Sequence, residues 1–125
     1  MQKADKTAKL NDLFRTKEGQ HLGEWQYTSC VDNHVPLYLF PRLRRKIARY
    51  KRFTAANDPK RERRSGAFDL GEERIVWKID YYDKVSRALT DDASDPEKTT
   101  RLLIVMLVGE ARRLVETGEM QPHQL

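Results

Sequence analysis

The stretch GAFDLGEERIVWKIDYYD, residues 66–83, decides the fold of this chain. Residues 66–70 are predicted to form one short strand, and the Gly-Glu pair at 71–72 makes a tight turn after it. From Arg74 to Tyr82 the side chains alternate between two faces, which is the period of a β-strand. One of these faces carries Ile75, Trp77, Ile79 and Tyr81. The pattern predicts two strands joined as a β-hairpin.

Upstream of the hairpin, the sequence predicts a helix that begins near Leu37 or Pro41 and runs to about Phe53. Proline is tolerated in the first turn of a helix and not in its interior, so Pro36 and Pro41 limit where this helix begins. Apolar residues recur at intervals of three and four, and arginines recur at the same intervals on another face. The apolar stripe is Phe40, Leu43, Ile47 and Tyr50. The basic stripe is Arg42, Arg45, Arg49 and Arg52.

Downstream of the hairpin, residues 95–97 (DPE) predict the start of a second long helix. They supply a capping carboxylate, a proline at the first helical position and an acid near the positive end of the helix. This helix is expected to continue to about Glu116. Its middle, residues 102–108, is apolar all round, which is typical of a helix buried on most sides. We therefore expect a central helix packed on the sheet.

The N-terminal part completes the order of elements. Residues 4–17 space their apolar side chains as a short amphipathic helix does, and residues 25–31 are rich in aromatic and β-branched residues, as strands are. The resulting order, α-β-α-β-β-α, predicts an α+β fold: a small antiparallel sheet of about three strands with helices packed on one face. A chain of 125 residues is the usual size of one domain. We expect a single domain over residues 1–125, with a core from about 4 to 117 and flexible ends. The hairpin edge could pair two copies, but the sequence decides no oligomeric state.

The composition favours a soluble, cytoplasmic protein. The single cysteine, Cys30, excludes an internal disulfide and fits a reducing compartment. The longest apolar run, residues 102–108, is far shorter than the roughly 20 residues that span a bilayer, so no membrane partner is expected. The first residues are charged and lack the apolar core of a secretory signal. His21, His34 and His123 are scattered without ligand spacing, so neither a metal site nor a cofactor is predicted.

The positive charge of the chain is concentrated between Arg42 and Arg64. This segment contains eleven basic residues and two acids, so its net charge is +9. The whole chain carries +5, which leaves −4 for everything outside the segment. The NDP turn signal at residues 57–59 and the basic run after it predict a flexible loop. Such a block attracts polyanions, nucleic acid above all, or an acidic protein surface.

We interpret the basic helix and loop as the candidate contact surface. Arginine suits phosphate contact because its planar fork pairs with two oxygens at once. Nearby Tyr38, Tyr50 and Phe53 could stack on bases if they are exposed. The alternative is a solvated helix face that binds nothing specific. The candidate binding residues are Arg42, Arg45, Lys46, Arg49, Arg52, Lys60, Arg61, Arg63 and Arg64. The sequence contains no helix-turn-helix, zinc-finger or RNP signature, so sequence-specific readout is not predicted.

Four short blocks along the chain carry a resemblance to a known family. They are NDLFR at 11–15, NDP at 57–59 leading to GAF at 66–68, WKIDYYD at 77–83, and DP at 95–96 followed by TTR at 99–101 and ML at 106–107. Together these blocks resemble DUF3768, a family of small bacterial proteins of unknown function. The resemblance covers about residues 8–112, and the block at 77–83 is its most specific part.

The resemblance implies a genetic context and no established activity. Members of the family are common on plasmids and other mobile elements of alphaproteobacteria, where such genes serve transfer, maintenance or evasion of host defence. Members usually carry a His-Asp pair between the NDP block and the glycine, and the matching positions here are Arg63 and Arg64. If the family uses that pair for a metal or for proton transfer, this chain has lost it and has gained two cations in the same loop.

The basic surface and the resemblance together give two binding hypotheses. The leading one is a non-enzymatic inhibitor that docks on a host nucleic-acid-handling defence complex, of the anti-CRISPR or anti-restriction type. The alternative is a protein that binds DNA or RNA directly and largely without sequence specificity. Direct phosphate binding weakens steeply with salt. A docking inhibitor binds its complex tightly and free DNA weakly, and it needs an apolar or aromatic anchor besides charge.

An enzyme is the third and least favoured hypothesis. Lys78, Asp80 and Tyr82 share one face of the second hairpin strand, and Asp83 follows them. A lysine, a carboxylate and a tyrosine on one rigid element could perform acid–base chemistry. The competing interpretation is a set of cross-strand pairs on the wet face of a sheet. We favour the latter, because no nucleophile or metal cluster accompanies them.

Overall fold

The computed structural model describes residues 2–125 and shows a mixed four-stranded sheet flanked by helices. The strands are β1 (Gly23–Tyr27), β2 (Ser65–Leu70), β3 (Glu73–Asp83) and β4 (Thr99–Leu107). Their spatial order is β1-β4-β3-β2, and β1 runs parallel to β4 while the other two pairs are antiparallel. The predicted α+β class is confirmed. The expected sheet of about three antiparallel strands is wrong, since the sheet has four strands and is partly parallel.

The hairpin of residues 66–83 is present as predicted. Strands β2 and β3 pair antiparallel, with Gly66 opposite Trp77 and Leu70 opposite Glu73. The face of β3 that carries Ile75, Trp77, Ile79 and Tyr81 is fully buried. The strand predicted from the alternation of side chains is therefore present, and this face is the one that joins the core cluster.

The expected helix from Asp95 to Glu116 is wrong as far as Leu107. Residues 99–107 form β4, and helix α4 (Val108–Glu116) begins only after it. Strand β4 lies between β1 and β3 and is covered on both faces, so it is apolar at successive positions rather than at alternate ones. A short apolar run cannot be assigned to helix or strand from its periodicity alone. Asp95 accepts a hydrogen bond from the backbone of Glu97 at 2.9 Å in a turn that precedes the strand.

The strand expected over residues 25–31 is shorter than predicted. Strand β1 ends at Tyr27, and helix α2 (Ser29–His34) follows at once. The hydroxyl of Thr28 accepts a hydrogen bond from the backbone of Val31 at 3.4 Å, which is the role of an N-terminal capping residue. Cys30 therefore lies in a helix, half-buried, and not in a strand.

Two further helices occupy the N-terminal half. Helix α1 (Lys3–Phe14) confirms the expected N-terminal helix, although a 3₁₀ turn replaces its predicted end. Helix α3 (Phe40–Ala48) confirms the expected basic helix but ends five residues before Phe53. Arg15, the residue that follows α1, holds this end: its Nη1 donates to the carbonyl oxygens of Ile47 and Tyr50, at 2.7 and 3.1 Å. These bonds satisfy backbone acceptors that a helix end leaves free.

Helices cover both faces of the sheet, so the expectation of helices on one face is wrong. On the first face, Phe14 of α1 and Leu43 and Ile47 of α3 join the core cluster that contains Trp77. On the second face, Ala111 of α4 packs in a separate cluster with Val76, Met106 and Met120. Across residues 2–125, no helix combines the length and the apolar character needed to cross a membrane.

Candidate nucleic-acid interface

A groove of about 620 Å³ lies between α3 and β2, and we call it the basic groove. Strand β2 is the outer strand on this side of the sheet and pairs only with β3, so the groove opens along a sheet edge. Six of the eleven cations of the basic block line it: Arg42, Arg45, Lys46, Arg49, Lys51 and Arg52. The opposite wall is formed by residues 67–69 and Arg74.

The amphipathic pattern of α3 places these cations. Leu43 and Ile47 are fully buried, so they mark the face of α3 that packs on the core. Arg42, Arg45 and Lys46 lie on the other side of the helix and are exposed. The expected stripe of four arginines on one helical face is wrong, because Arg49 is the C-cap of the helix and Arg52 lies in the irregular segment after it. Arg42, Arg45, Arg49 and Arg52 nevertheless line the same groove.

The cations of the basic groove are free of internal partners. All six are exposed, and among residues 2–125 none of them forms an ion pair or a side-chain hydrogen bond. Lys46 makes one weaker contact, with its Nζ 5.6 Å from the ring centre of Phe68. Of the described residues in the lining, Asp69 is the one acid, and Arg74 pairs with it at 3.1 Å. The groove therefore presents a strong, uncompensated positive potential.

Two of the predicted binding residues contact other residues of the protein instead. Nη1 of Arg63 donates to Asp12 at 2.7 Å, and the other oxygen of the same carboxylate accepts from Arg15 at 2.6 Å. The guanidinium of Arg64 lies 4.1 Å from the ring centre of Tyr81. Its Nε and Nη2 both donate to the carbonyl oxygen of Ile79, at 3.1 and 2.9 Å. Neither residue lines the basic groove.

The loop that carries Arg63 and Arg64 has a fixed shape. The carboxylate of Asp58 accepts hydrogen bonds from the backbone of Glu62 and Arg63, at 3.2 and 3.1 Å. Arg61 and Arg63 adopt positive φ angles of 58° and 56°, which residues other than glycine rarely adopt. Lys60 and Arg61 are exposed and make no ion pair with any residue of the 2–125 range. Of the four cations in this loop, Arg63 and Arg64 therefore contact other residues, whereas Lys60 and Arg61 make no ion pair within residues 2–125.

Two cations in the lining of the basic groove were not among the predicted binding residues. Lys51 belongs to the basic block and could have been included on its charge alone. Arg74 lies on β3, outside the block, and reaches the groove because the hairpin places it opposite Asp69. Of the aromatic residues proposed to stack on bases, Tyr38 is 79% exposed, whereas Tyr50 and Phe53 pack edge-on against Trp77.

The residues of the enzyme hypothesis lie together on β3. Nζ of Lys78 donates to both carboxylate oxygens of Asp80, at 2.9 and 2.8 Å, and both side chains are largely shielded from solvent. Tyr82 is half-buried on the same face. The carboxylate of Asp83 accepts hydrogen bonds from the backbone of Val85 and Ser86, which lowers its pKa. No group of three or more His, Cys, Asp or Glu within the described part of the chain is arranged to hold a metal ion.

Comparison with known proteins identifies a family. No curated protein and no solved structure matches the chain. A family model described as "Protein of unknown function (DUF3768)" matches residues 34–110, which is more than half of the chain. The match includes α3, the basic loop, the hairpin and β4, whereas the NDLFR block at 11–15 lies outside it. The chain therefore belongs to the DUF3768 family.

Proposed function

We propose that this protein binds nucleic acid through the phosphate backbone, without sequence specificity and without a chemical step. The observation that carries the proposal is the convergence of six exposed cations, free of ion pairs within residues 2–125, on one groove beside α3. Cations that serve only solubility are interspersed with acids over a surface. Here they meet in one place, and the remainder of the chain is net acidic.

The dimensions of the groove suit a phosphate backbone. Helix α3 has nine residues and is therefore about 13 Å long. One strand of a duplex advances about 3.4 Å along its axis per phosphate, so α3 spans about four phosphates. Four of the six cations are arginines, whose planar forks hold phosphate oxygens in pairs. Contacts of this kind fix position and carry no sequence information.

The test is binding of the purified protein to labelled single- and double-stranded DNA and RNA across a salt series. We expect a log–log slope of the binding constant against salt of about −4 to −6 if roughly five to seven phosphates are neutralised. The triple variant Arg45→Gln, Arg49→Gln and Arg52→Gln should bind far more weakly, with a shallower slope. Glutamine keeps a polar side chain that can donate and accept hydrogen bonds, although it is shorter than arginine, and it removes the charge.

A matched control changes the same amount of charge elsewhere. Arg112 and Arg113 are exposed on α4, on the opposite face of the sheet, and Lys84 is exposed in the loop after β3. The triple variant with glutamine at these three positions should bind nearly as wild type does. Equal losses in the two variants would show that only net charge matters, and the basic groove would then have no special role.

A second candidate function has an observation of its own. Leu37 and Tyr38, directly before α3, are 84% and 79% exposed. An exposed apolar and aromatic pair beside a basic helix is the kind of anchor that protein interfaces use. It favours the hypothesis of an inhibitor that docks on a host nucleic-acid-handling complex, with the basic groove facing an acidic surface or an exposed strand of that complex.

The variant Leu37→Ala separates the two functions, because leucine offers no ring on which a base could stack. For direct nucleic-acid binding, its affinity for free DNA or RNA should match that of wild type. For a docking inhibitor, the free nucleic acid should bind weakly to both proteins. Capture of the host complex from lysate should then be lost in this variant and in the triple arginine variant alike.

The proposal assigns no reaction to the Lys78 and Asp80 pair. Nζ of Lys78 lies 2.8 Å from a carboxylate oxygen of Asp80, so the two groups form an ion pair and neither is a free acid or base. The variant Asp80→Asn should retain the binding of wild type. An activity of the protein that disappears in this variant, while the fold persists, would favour the enzyme hypothesis instead.

A further inference from the structure

A second groove, of about 650 Å³, lies on the other side of α3, against β1. The strand order places β1 and β2 at opposite edges of the sheet, so α3 separates this groove from the basic groove. We call it the aromatic groove. Its lining includes Lys17, Trp25, Tyr27, Arg44, Arg45 and Ala48. Arg45 lines both grooves, so the two adjoin along α3.

The aromatic walls of this groove are held in fixed orientations. Trp25 and Tyr27 lie two positions apart on β1 and therefore point to the same face of the sheet. The indole Nε1 of Trp25 donates to the carbonyl oxygen of Phe14 at 3.4 Å. The ring of Tyr27 packs against Phe40, with centroids 5.3 Å apart and planes tilted by 59°. Both side chains remain partly exposed, so they offer preformed apolar surface at the groove.

The rim of the aromatic groove is basic. Lys17, Arg44 and Arg45 are exposed, and within residues 2–125 none of them forms an ion pair. The guanidinium of Arg15 also lines the groove, where the carbonyl oxygens at the end of α3 fix it and Asp12 pairs with its charge. Among the described residues of the lining, Glu24 is the one acid. A ligand with an apolar planar part and a negative part therefore fits both the walls and the rim.

We propose that the aromatic groove binds unpaired bases, and that the ligand of this protein is single-stranded nucleic acid. The inference rests on the proposed function and specifies its substrate class. Proteins that bind single strands without sequence preference combine a basic groove along the backbone with aromatic side chains on which bases stack. Bases inside a duplex are already paired and stacked, so their faces cannot reach Trp25. Arg44 and Arg45 hold the phosphates on either side of the base.

Tryptophan fluorescence gives a direct readout, because the two tryptophans differ in exposure. Trp77 is fully buried in the core, whereas Trp25 lines the aromatic groove. The protein is titrated with an oligothymidine single strand, with a duplex of the same length, and with inorganic polyphosphate. We expect quenching and tight binding with the single strand, and weaker binding without quenching for the duplex and for polyphosphate.

The variant Trp25→Leu keeps an apolar, though smaller, side chain and removes the stacking surface. Its affinity for the single strand should fall by about 5- to 150-fold, the range that loss of one base–aromatic stack produces. The slope against salt should stay unchanged, because no cation has been removed. Trp25→Phe should recover much of the affinity. The remaining emission, from Trp77, reports whether each variant is folded.

The outcomes separate this inference from the proposed function. If wild type binds single strand and duplex equally, without quenching, and Trp25→Leu has no effect, the aromatic groove is no base site although the basic groove still binds phosphate. If wild type binds no nucleic acid at physiological salt, the proposed function itself fails. Quenching by an acidic, aromatic-containing peptide but not by the single strand would also overturn the inference and would assign the groove to a protein ligand.

Discussion

Asn11 of α1 donates a hydrogen bond from Nδ2 to the hydroxyl oxygen of Tyr81 on β3, at 2.9 Å. The same Nδ2 also donates to the backbone oxygen of Glu62, at 2.9 Å, and Oδ1 of Asn11 accepts from Nε of Arg101, at 2.7 Å. The hydroxyl of Tyr81 in turn donates to the carboxylate of Glu62 at 2.9 Å. One buried amide thus ties α1 to the basic loop, to β3 and to β4.

Three of the four blocks that carry the family resemblance meet in this network, since they contain Asn11, Tyr81 and Arg101. Arg101 is fully buried, and burial is the main cause that lowers its pKa. Its Nη2 donates to the carbonyl oxygen of Ala93 at 2.8 Å, while its Nη1 has no partner among the described atoms. A buried guanidinium with so few acceptors depends strongly on each one. These blocks therefore have a structural role at this end of the sheet.

The variant Asn11→Leu should be strongly destabilised. It removes three hydrogen bonds and leaves Nε of Arg101 buried without an acceptor, for which we expect a loss of about 2–4 kcal/mol in the free energy of unfolding. Urea denaturation followed by circular dichroism measures it. Asn33→Leu, at an exposed position of α2, is the control and should change the free energy by less than about 0.5 kcal/mol. Similar values for the two variants would contradict the importance of the network.

The hydroxyl of Tyr81 should make stability depend on alkaline pH. Burial raises its pKa above the usual value of 10.0, so the folded protein holds this proton after the unfolded chain has lost it. Unfolding then releases a proton above about pH 10, and the contribution of Tyr81 to stability falls by up to about 1.4 kcal/mol per pH unit. Below that pH both states carry the proton and the contribution is constant.

Comparison with Tyr81→Phe isolates this effect from other alkaline titrations. The free energy of unfolding of wild type should exceed that of the variant at neutral pH, because the variant lacks the hydrogen bonds to Asn11 and Glu62. The difference between the two proteins should narrow as the pH rises above 10. A difference that stays constant across this range would mean that the hydroxyl of Tyr81 titrates normally in the folded protein.

The parts of the fold that follow from local patterns were predictable. The hairpin has a clear period of two along β3 and a glycine turn before it, and α3 has its apolar stripe at helical spacing. Strand β4 was mistaken for a helix because burial on both faces removes its alternation. The turn residues at 95–97 also carry the signature of a helix start. The parallel pairing of β1 with β4 joins segments about 80 residues apart, and no local signal reveals it.

In the candidate site, too, the local features were predictable from the sequence and the long-range contacts were not. The basic block is visible in the sequence, and the amphipathic pattern predicts that Arg42 and Arg45 point outward. The contacts of Arg63 and Arg64 depend on partners from distant elements, Asp12 on α1 and Tyr81 on β3. The aromatic groove is also invisible locally, because Trp25 lies outside the basic block and meets α3 only in the folded chain.

The absence of a side chain at Gly66 allows β2 to pack closely against Tyr50 and Trp77. A Cβ at this position would lie 2.7 Å from Nε1 of Trp77 and 2.7 Å from the ring of Tyr50, which lines the groove. Gly66→Ala should therefore lower the free energy of unfolding by about 1–3 kcal/mol through overpacking. It should also weaken nucleic-acid binding, because the ring of Tyr50 must move. Thermal denaturation and the salt-series binding assay measure the two effects.

The same substitution at Gly109 is the control for Gly66. A Cβ at Gly109, in the first turn of α4, would meet no atom within 4 Å. Gly109→Ala should stabilise the protein by about 0.5–1 kcal/mol, because alanine loses less backbone entropy than glycine in a helix. If Gly66→Ala also raised the melting temperature, the close packing of Tyr50 and Trp77 on this strand would not be a constraint.

Substitution by glutamine should lower the free energy of unfolding at Arg64 but not at Arg49. Arg64 makes two hydrogen bonds to the carbonyl oxygen of Ile79 and stacks on Tyr81, whereas Arg49 is exposed with no ion pair to any residue from 2 to 125. Arg64→Gln should cost about 1–3 kcal/mol of stability, since it removes both a cation–π contact and charge-assisted hydrogen bonds. Arg49→Gln should leave stability within about 0.5 kcal/mol of wild type.

In the nucleic-acid binding assay, Arg49→Gln should have a larger effect than Arg64→Gln. Arg49→Gln removes one cation from the basic groove, so affinity should fall and the magnitude of the salt slope should decrease by about 1. Arg64→Gln should keep the wild-type slope at temperatures where it is folded, because its guanidinium faces the protein and not the groove. If Arg64→Gln reduced the slope as Arg49→Gln does, the basic loop would contact phosphates directly, and Arg64 would have to leave Tyr81 when nucleic acid binds. Measuring both variants for unfolding and for binding therefore distinguishes a cation that holds the fold from one that holds the ligand.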